Sequence, residues 1–244
     1  MDFITYCEGK RGVVKDKNVS WSSEFGKVDR EDLLKAKHGS VVKTSKGKDV
    51  LLLKPTFKDK YLNMKRGAQS IKLKDCGAIL AETLVGKDSV CLDCGSGMGG
   101  LTCFLASYVE KVYSVDNRED HLKLSRKNAQ SLGLKNIDFI QHDIYEGMPK
   151  DAKKLDLITL DVAHPEQVVP HAKAALKKGG FLVGYCPQAT QMHDLCDALE
   201  KHKLQVYSCR EVIVRSWKCE GKVLRPEHMG LMHTAFLVFA QRID

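Results

Sequence analysis

Apolar and polar positions are distributed in two different ways along the chain, and the pattern changes near Cys76. Up to Lys65 the apolar runs are short and are separated by clusters of Gly, Lys, Asp and Asn, as in Ser45–Asp49. Short apolar runs separated by such turn-forming clusters are typical of strands joined by hairpin turns. The sequence therefore predicts a small β-rich domain over residues 1–65, with the polar stretch Lys54–Arg66 as the connection. Its predicted strands include Gly12–Val14, Val41–Thr44 and Val50–Lys54.

From Cys76 onward, strand-length apolar runs alternate with helix-length segments. The predicted strands are Ser89–Cys94, Lys111–Asp116, Ile137–Asp143, Leu155–Asp161, Phe181–Cys186, Gln205–Val214 and His233–Ala240. The predicted helices are Leu101–Tyr108, a helix from a cap at Asn117 to Leu132, one from Glu166 to Lys177–Gly180, and Thr190–His202. Alternation of this kind predicts a parallel sheet covered on both faces, and strands joined without a helix are normally antiparallel. We expect an α/β domain over residues 66–244, with a doubly wound, seven-stranded, mostly parallel sheet and one antiparallel strand near an edge.

Composition narrows the class of protein without identifying it. The 244 residues are 43% hydrophobic and 29% charged, as in ordinary globular proteins. No apolar run approaches the roughly 18 residues of a membrane span, and the first residues do not resemble a secretory signal, so we expect a cytoplasmic protein with no membrane partner. The nine cysteines fit small apolar core residues in a reducing compartment. Cys91 and Cys94 form a C-x-x-C, but no second pair stands at metal-ligand spacing, so no metal is predicted.

The positive charge is concentrated at one end of the chain. The formal net charge is +8, and residues 1–75 hold 18 Lys and Arg against 10 Asp and Glu, whereas residues 76–244 hold 21 of each. A solvated basic surface would explain this excess, but such complete segregation favours a patch that recruits a polyanion by counterion release. The sequence therefore favours a nucleic-acid partner.

A glycine-rich loop, Asp93–Gly99, follows the first predicted strand of the large domain and leads into a helix. Glycines there let the backbone turn sharply and approach a ligand closely. Gly95, Gly97 and Gly100 also satisfy the G-x-G-x-x-G of nicotinamide enzymes, with Asp116 sixteen residues beyond Gly100. The loop therefore predicts an adenosine-type cofactor without choosing one, and a purely structural glycine turn is the alternative.

Carboxylates stand at the ends of four predicted strands, at Asp93, Asp116, Asp143 and Asp161. Open α/β sheets bind ligands at the carboxyl ends of their strands, so the four are expected to converge on one crevice. There Asp116 can accept hydrogen bonds from both ribose hydroxyls of an adenosine cofactor, and Asp143 can reach its adenine amino group. Asp161 is expected beside the place where a reactive methyl group would sit if the cofactor carries one. One strand-end Asp is more often a helix cap, but four in register are harder to explain in that way.

Several stretches together resemble one family. They are Arg66–Gln69 with Lys74–Asp75, Leu92–Ala106 (LDCGSGMGGLTCFLA), Asp143–Gly147 (DIYEG), Leu160–Val169 (LDVAHPEQVV), Gly180–Pro187, Leu224–Pro226 and His233–Val238. The core resembles class I S-adenosylmethionine-dependent methyltransferases, and the detail resembles the archaeal and bacterial tRNA adenine-58 N1-methyltransferases. The match covers most of Arg66–Arg242. One departure is Lys72-Leu73, where family members usually carry an aromatic residue or His followed by Pro, which can affect how the target base is stacked.

The resemblance implies S-adenosylmethionine as cofactor, tRNA as substrate bound with help from the N-terminal domain, and a homotetramer. It implies that the backbone of Met98–Leu101 faces the methionine part, Asp116 holds the ribose near His121, and His142 and Asp143 frame the adenine. The residues expected to bind the cofactor are Gln69, Asp93, Gly95, Gly97, Met98, Gly99, Gly100, Leu101, Asp116, His121, His142, Asp143 and Asp161. Asp161 is also the expected catalytic residue, because a carboxylate near N6 stabilises the charge that develops when adenine N1 is methylated.

Other functions remain open at this point. A methyltransferase acting on protein isoaspartate or a small molecule would not need the basic N-terminal residues. A non-catalytic tRNA-binding subunit would be expected to lose the glycine loop and the strand-end acids, and a nicotinamide-dependent dehydrogenase would need a positioned proton-transfer group. Whether adenine 57 is modified as well as adenine 58 is also open.

Overall fold

The computed structural model describes residues 1–67, 69–228, 230 and 232–244. Ala68, inside the predicted Arg66–Gln69 motif, lies outside the described residues. The chain divides into two compact units, Met1–Met64 and Lys65–Asp244. In the part of the chain that the structure describes, no helix is long and apolar enough to cross a membrane.

The unit Met1–Met64 is built on a four-stranded antiparallel sheet. Its elements are β1 (Phe3–Cys7), β2 (Lys10–Val14), β3 (Trp21–Ser23), β4 (Gly26–Val28), α1 (Arg30–Lys35), β5 (Ser40–Lys43), β6 (Asp49–Leu53) and α2 (Phe57–Leu62). The sheet order is β2-β1-β6-β5, and β3 and β4 form a separate hairpin. Phe3, Val14, Leu33 and Leu52 belong to a buried cluster made of this unit's own residues. This unit therefore has its own hydrophobic core.

The predicted hairpin at Ser45–Asp49 is confirmed, since β5 and β6 flank it and pair Lys43 with Asp49. The predicted connection, Lys54–Arg66, contains the division between the two units, but it also contains a helix, α2, that the sequence did not predict. The Thr56 hydroxyl accepts a hydrogen bond from the Asp59 backbone N–H, and the Asp59 carboxylate accepts one from the Thr56 N–H. This reciprocal capping box starts a helix from residues that otherwise read as a polar linker.

The unit Lys65–Asp244 contains a seven-stranded sheet and the helices that cover it. Its elements are α3 (Leu73–Thr83), β7 (Val90–Cys94), α4 (Gly100–Ala106), β8 (Lys111–Asp116), α5 (Glu119–Leu132), β9 (Ile137–Gln141), β10 (Leu155–Leu160), α6 (Pro165–Ala175), β11 (Leu176–Cys186), α7 (Ala189–Lys201), β12 (Leu204–Glu211), β13 (Trp217–Glu220), β14 (Val223–Pro226) and β15 (Phe236–Arg242). The order is β12-β15-β11-β10-β7-β8-β9, and β15 is antiparallel to both of its neighbours. The predicted sheet of six parallel strands and one antiparallel strand is confirmed.

Side chains from both faces of the sheet are buried. Leu92 and Cys94 of β7 pack in one apolar cluster, whereas Cys91, just before Leu92, packs in the cluster on the opposite face. This alternation explains why the strands read as continuous apolar runs. The strand order reverses between β7 and β10, and open α/β sheets form their ligand crevice at such a point.

Four local expectations were wrong, and in three of them tertiary pairing or side-chain bonds decide the outcome. The helix α6 ends at Ala175, because Leu176 is buried and pairs with Leu155 of β10. Strand β12 ends at Glu211 and β15 begins only at Phe236, since His233 bonds through its side chain to Glu211 and to the Pro187 carbonyl oxygen. Arg118, not Asn117, precedes α5, with no side-chain cap. The exposed hairpin β13–β14 was not predicted.

Candidate active site

A cleft of about 390 Å³ opens at the carboxyl ends of the strands around the reversal point. Among the predicted residues, its lining includes Gln69, Gly95, Gly97, Asp116, His121, His142, Asp143 and Asp161. A narrow crevice of about 10 Å³ shares Gln69, Gly95 and Asp161 with the cleft and is also lined by Asp93, Gly100 and Leu101. The structure thus brings most of the predicted residues to one edge of the sheet.

The glycine loop takes a backbone conformation that side chains disfavour. Gly95, Gly97 and Gly99 have φ angles of 88°, 51° and 84°. A Cβ atom at Gly95 would lie 2.0 Å from the carbonyl oxygen of Asp161, so only glycine lets the loop lie against the end of β10. The N–H groups of Gly95 and Ser96 both donate to the Val115 carbonyl oxygen, at 2.9 and 3.1 Å. These bonds fix the loop between β10 and β8.

Asp116, the last residue of β8, is only 8% exposed but faces the cleft. Its Oδ2 atom accepts a hydrogen bond from the Gly97 backbone N–H at 2.9 Å, and its Oδ1 atom accepts one from the Arg118 N–H at 3.0 Å. The His121 Nδ1 atom lies 3.1 Å from Oδ2. The carboxylate is therefore held in one orientation by the glycine loop and the start of α5.

Asp161 directly follows β10, and its backbone N–H donates to the Cys94 carbonyl oxygen at 2.9 Å. The half-buried side chain faces both the cleft and the crevice. Burial, together with the negative charges of Asp93 and Asp116, raises the pKa of this carboxyl to about 7. The cleft is therefore an anionic environment that favours a cationic ligand.

Asp93 does not line the main cleft, so the expectation that four acids converge there is wrong for this residue. Its carboxylate is buried and accepts hydrogen bonds from the hydroxyls of Thr102, at 2.5 Å, and Thr159, at 2.8 Å. Burial raises its pKa despite these bonds. Asp93 instead borders the crevice, where it ties α4 to the sheet below the glycine loop.

Asp143 is not the end of a strand, because β9 already ends at Gln141. The Asp143 side chain caps the short 3-10 helix Ile144–Glu146 by accepting the Tyr145 N–H at 3.1 Å. His142 beside it makes a hydrogen bond of 2.9 Å between its Nε2 atom and the Gly147 carbonyl oxygen. Both side chains still line the cleft. The sequence predicted Asp143 at this edge of the sheet, but for the wrong local reason, since no strand ends there.

Tyr145 is a cleft residue to which sequence reasoning gave no role, although it lies in the DIYEG stretch. Its hydroxyl accepts a hydrogen bond of 3.0 Å from the His164 backbone N–H, at the start of α6. Tyr145 therefore joins the segment that carries Asp143 to the segment that follows Asp161. Met98 is predicted at the site but lines neither cavity, and its carbonyl oxygen accepts from the Asn128 amide at 2.9 Å.

Lys74-Asp75 and His233-Thr234, which are far apart in the sequence, contact each other in the structure. The Lys74 ammonium donates to Asp75 at 2.9 Å, to the Val212 carbonyl oxygen at 2.6 Å and to the Thr234 hydroxyl at 2.6 Å. Thr234 in turn donates to the buried Asp75 carboxylate at 2.8 Å. The Lys-Asp and His-Thr motifs are thus parts of one buried polar network. Lys72 and Leu73, which depart from the family pattern, are both exposed at the start of α3.

In the part of the chain that the structure describes, no group of three or more His, Cys, Asp or Glu side chains is arranged to hold a metal ion.

Comparison with known proteins gives consistent similarities. Residues 86–226 match a family model described as a methyltransferase domain. The chain is 35% identical over 221 residues to the tRNA (adenine(58)-N(1))-methyltransferase TrmI of Thermus thermophilus, with 89% of this chain and 86% of that protein covered. It is 29% identical over 261 residues to the tRNA (adenine(57)-N(1)/adenine(58)-N(1))-methyltransferase TrmI of Methanocaldococcus jannaschii, with 96% and 92% covered.

Two solved structures are similar over the whole chain. A SAM-dependent O-methyltransferase of Thermotoga maritima superposes with a TM-score of 0.87 at 28% identity, covering 100% of this chain and 93% of that one. The tRNA (m1A58) methyltransferase TrmI of Aquifex aeolicus superposes with a TM-score of 0.82 at 21% identity, covering 100% and 97%. At that lower identity the second match shows a shared fold.

Proposed function

The chain belongs to the tRNA (adenine(58)-N(1))-methyltransferase family, and from that membership we propose the reaction and the roles of its residues. The enzyme transfers a methyl group from S-adenosylmethionine to N1 of an adenine in the T loop of tRNA, at position 58. The relative from Methanocaldococcus jannaschii is named for both adenines 57 and 58. Methylation of position 57 is therefore a second possible outcome of the same assay.

The observation that carries this proposal is the anionic cleft at the reversal point of the sheet. Its glycine loop would admit no Cβ atom at Gly95, and the fixed carboxylate of Asp116 faces the space beside it. S-adenosylmethionine, when bound, supplies an electrophilic methyl group on a positively charged sulfonium. A cavity whose acidic lining includes Asp116, Asp143 and Asp161 suits that positive charge.

We assign the cofactor contacts by position in the cleft. Asp116 accepts the ribose hydroxyls with His121 beside it, and His142 and Asp143 lie against the adenine. The narrow crevice takes the methionine end, and it is lined by Gln69, Asp93, Gly100 and Leu101. Met98 and Gly99 line neither cavity, so their backbone contacts at the start of α4 are proposed from the family resemblance alone. The positive end of the α4 dipole near Gly99 favours the carboxylate of the methionine part.

Asp161 is the proposed catalytic residue, because it lies where the cleft and the crevice meet. When adenine N1 accepts the methyl group, the base becomes cationic and its N6 hydrogens become more acidic. A carboxylate that accepts an N6 hydrogen bond stabilises the charge that develops in the transition state. Holding the two reactants in line supplies the rest of the acceleration.

The basic unit Met1–Met64 is proposed to bind tRNA, since a polyanion is attracted to a surface rich in lysine. The target adenine must leave the stack to reach the cleft, which costs a few kcal/mol that backbone contacts have to offset. We also propose that the enzyme is a homotetramer and acts in the cytoplasm, where its tRNA substrate is found.

The experiment that tests the proposal is incubation of the enzyme with unmodified tRNA and radiolabelled S-adenosylmethionine. Nucleoside analysis should place the label in N1-methyladenosine, and a transcript with guanine at position 58 should lose most of it. Label retained in that transcript at position 57 would extend the specificity. Label on an oxygen atom of RNA or of a small molecule would favour the O-methyl transfer for which the Thermotoga maritima protein is named. Label in protein would favour an isoaspartyl substrate.

A further inference from the structure

Two cysteines outside the cleft face each other on consecutive elements of the large unit. The Sγ atom of Cys196, on α7, lies 3.8 Å from the Sγ atom of Cys209, on β12. Cys209 is exposed and Cys196 is half-buried. We propose that these two thiols form an oxidant-sensitive site that a hydroperoxide converts into a reversible intrachain disulfide.

A bulge in β12 brings the second thiol to the face of the first. Val206 pairs with Ala240 of β15, but the next pair is Ser208 with Phe239, so Tyr207 is an extra residue. In a strand with the same residues but no bulge, Cys209 is three positions after Val206 and would lie on the opposite face, because successive side chains alternate. With the bulge, Cys209 pairs with Val238, which packs in the same apolar cluster as Leu195 of α7.

The two sulfur atoms are close enough for a disulfide to form while α7 and β12 keep their positions. A disulfide needs about 2.05 Å between the two Sγ atoms, so they must approach by less than about 2 Å. Rotation about the side-chain bonds of Cys196 and Cys209 can supply an approach of that size. Only His202 and Lys203 separate the end of α7 from the start of β12, so the two thiols stay together in the folded chain.

The other cysteines offer a contrast in reactivity. Six of the nine are buried, and burial raises the pKa of Cys91, Cys103 and Cys186 to about 12. Thiols of this kind contain very little thiolate and react slowly. Burial also raises the pKa of Cys196, to about 11, which makes it a poor first nucleophile. Cys209 is exposed and is therefore the thiol that meets the oxidant first.

A small oxidant and a reductant can both reach the pair. Cys196 lines an open cavity of about 520 Å³ between α7, β12 and the C-terminal residues, together with Lys203 and Val206. This cavity shares no lining residue with the cofactor cleft. Oxidation at this site is therefore separate from cofactor binding.

The chemistry proceeds in two steps that balance. The Cys209 thiolate attacks one oxygen of the hydroperoxide, the O–O bond breaks, and a sulfenic acid forms as the first molecule of water or alcohol leaves. The Cys196 thiol then attacks the sulfenic sulfur, so that the S–S bond forms and the S–O bond breaks with release of water. Two electrons pass from the two sulfurs to the peroxide, and exchange with an external dithiol restores both thiols.

Mass spectrometry of the full-length enzyme after hydrogen peroxide treatment tests the proposal. After free thiols are blocked and the chain is digested, we expect a cross-linked pair of peptides containing Cys196 and Cys209, which disappears after dithiothreitol. The cross-link cannot form in the Cys196→Ser and Cys209→Ser variants, which serve as negative controls for its identification. The Cys219→Ser variant is the matched control, since Cys219 is also exposed but lies on β13, and it should keep the full yield.

A trapping experiment checks the order of the steps and guards against misfolding. In Cys196→Ser, peroxide should leave a sulfenic acid on Cys209 that dimedone captures, whereas Cys209→Ser should yield no such adduct at Cys196. Both variants should bind S-adenosylmethionine as the wild type does, which shows that they are folded. The proposal is overturned if the folded wild type gives no Cys196–Cys209 cross-link. A disulfide that forms only between chains, seen as a dimer on a non-reducing gel, would also overturn it.

Discussion

The two units of the chain differ in charge and in architecture, and the difference explains why both are needed. Met1–Met64 carries 14 Lys and Arg against 9 Asp and Glu on an antiparallel scaffold, whereas Lys65–Asp244 carries 25 against 22 on a mostly parallel sheet. The second unit lines its cleft with carboxylates that favour a sulfonium and repel phosphate. A site suited to the cationic cofactor is thus poorly suited to attract a polyanionic substrate, and we propose that the basic unit supplies that attraction.

The boundary between the units also changes how the charge of the first 75 residues is interpreted. Part of that excess comes from Lys65, Arg66, Lys72 and Lys74, which belong to the second unit. Lys74 is largely buried and neutralised by Asp75, so it contributes little to long-range attraction. The exposed positive charge is therefore smaller than the sequence count, and it is shared between the first unit and the exposed Lys65, Arg66 and Lys72 of the second.

Removing residues 1–64 is expected to have the largest effect and would separate the two roles most directly. Affinity for tRNA should fall about a thousandfold or more, because the phosphate contacts and their counterion release are lost. Binding of S-adenosylmethionine should remain, since the second unit has its own core and cleft. Filter binding at several salt concentrations and calorimetry with the cofactor measure the two affinities.

A charge-reversal variant provides the control for that deletion. Lys35, Lys37 and Lys54 are all exposed, so replacing them by Glu leaves the buried core intact while weakening tRNA binding and flattening its salt dependence. The same number of reversals at Lys150, Lys153 and Lys201 in the second unit should have a smaller effect. Equal effects of the two sets would contradict the division of roles.

Asp161→Ala is expected to lower turnover about a hundredfold or more, the scale seen when a group that stabilises transition-state charge is removed. Affinity for tRNA and for the cofactor should change only a few-fold. Asp161→Asn should also be impaired, because it keeps an acceptor but lacks the charge. Single-turnover rates measure the effect, and the exposed Asp151→Ala serves as a control. A folded Asp161→Ala enzyme with normal turnover would make Asp161 a structural residue.

Asp116→Ala is expected to weaken S-adenosylmethionine binding by about 2 kcal/mol, or about thirtyfold, through the loss of charge-assisted hydrogen bonds. The loop N–H of Gly97 would also lose its acceptor. Isothermal titration calorimetry on the folded variant gives the difference directly. Unchanged affinity would remove Asp116 from the cofactor site, and tight binding of NADH by the wild type would overturn the choice of cofactor.

The smallest expected effect, about tenfold for one pH unit, is a pH dependence that comes from Asp161. Its pKa is raised to about 7 in the ligand-free protein, and the carboxylate is the form that stabilises the developing charge. Protonation below that pH therefore removes the active form, and kcat/KM for S-adenosylmethionine should fall about tenfold per pH unit below about pH 7. In Asp161→Asn this acidic limb should be absent from the residual activity. A wild-type profile that is flat from pH 8 to pH 5 would contradict the assignment.

The sequence predicted the sheet well because strand and helix patterns are local and periodic. Even the antiparallel β15 followed from the absence of a helical pattern between the last two predicted strands. The sequence placed Asp116 and Asp161 at the cleft for the same reason, since each stands at the carboxyl end of a strand. Their assigned roles at the cofactor and the target base stay predictions.

What the sequence missed depends on contacts between residues far apart in the chain. Asp93 is turned toward Thr102 and Thr159 rather than into the main cleft, and nothing local to the strand reveals those partners. The role of Tyr145 depends on the His164 N–H, nineteen residues away. The bulge at Tyr207 likewise shows only in the pairing of β12 with β15.

The position of β15 has a consequence for the order in which the enzyme can be made. Within the sheet β12 pairs only with β15, which also lies against β11, so the edge strand leaves the ribosome before its partner has been synthesised. Successive residues of β15, such as Leu237 and Val238, enter the apolar clusters on opposite faces of the sheet. The nascent chain therefore cannot complete either half of this core until Phe236–Arg242 has emerged. Folding of the catalytic unit therefore waits for this strand, and before that point β12 is an unpaired edge that molecular chaperones can bind.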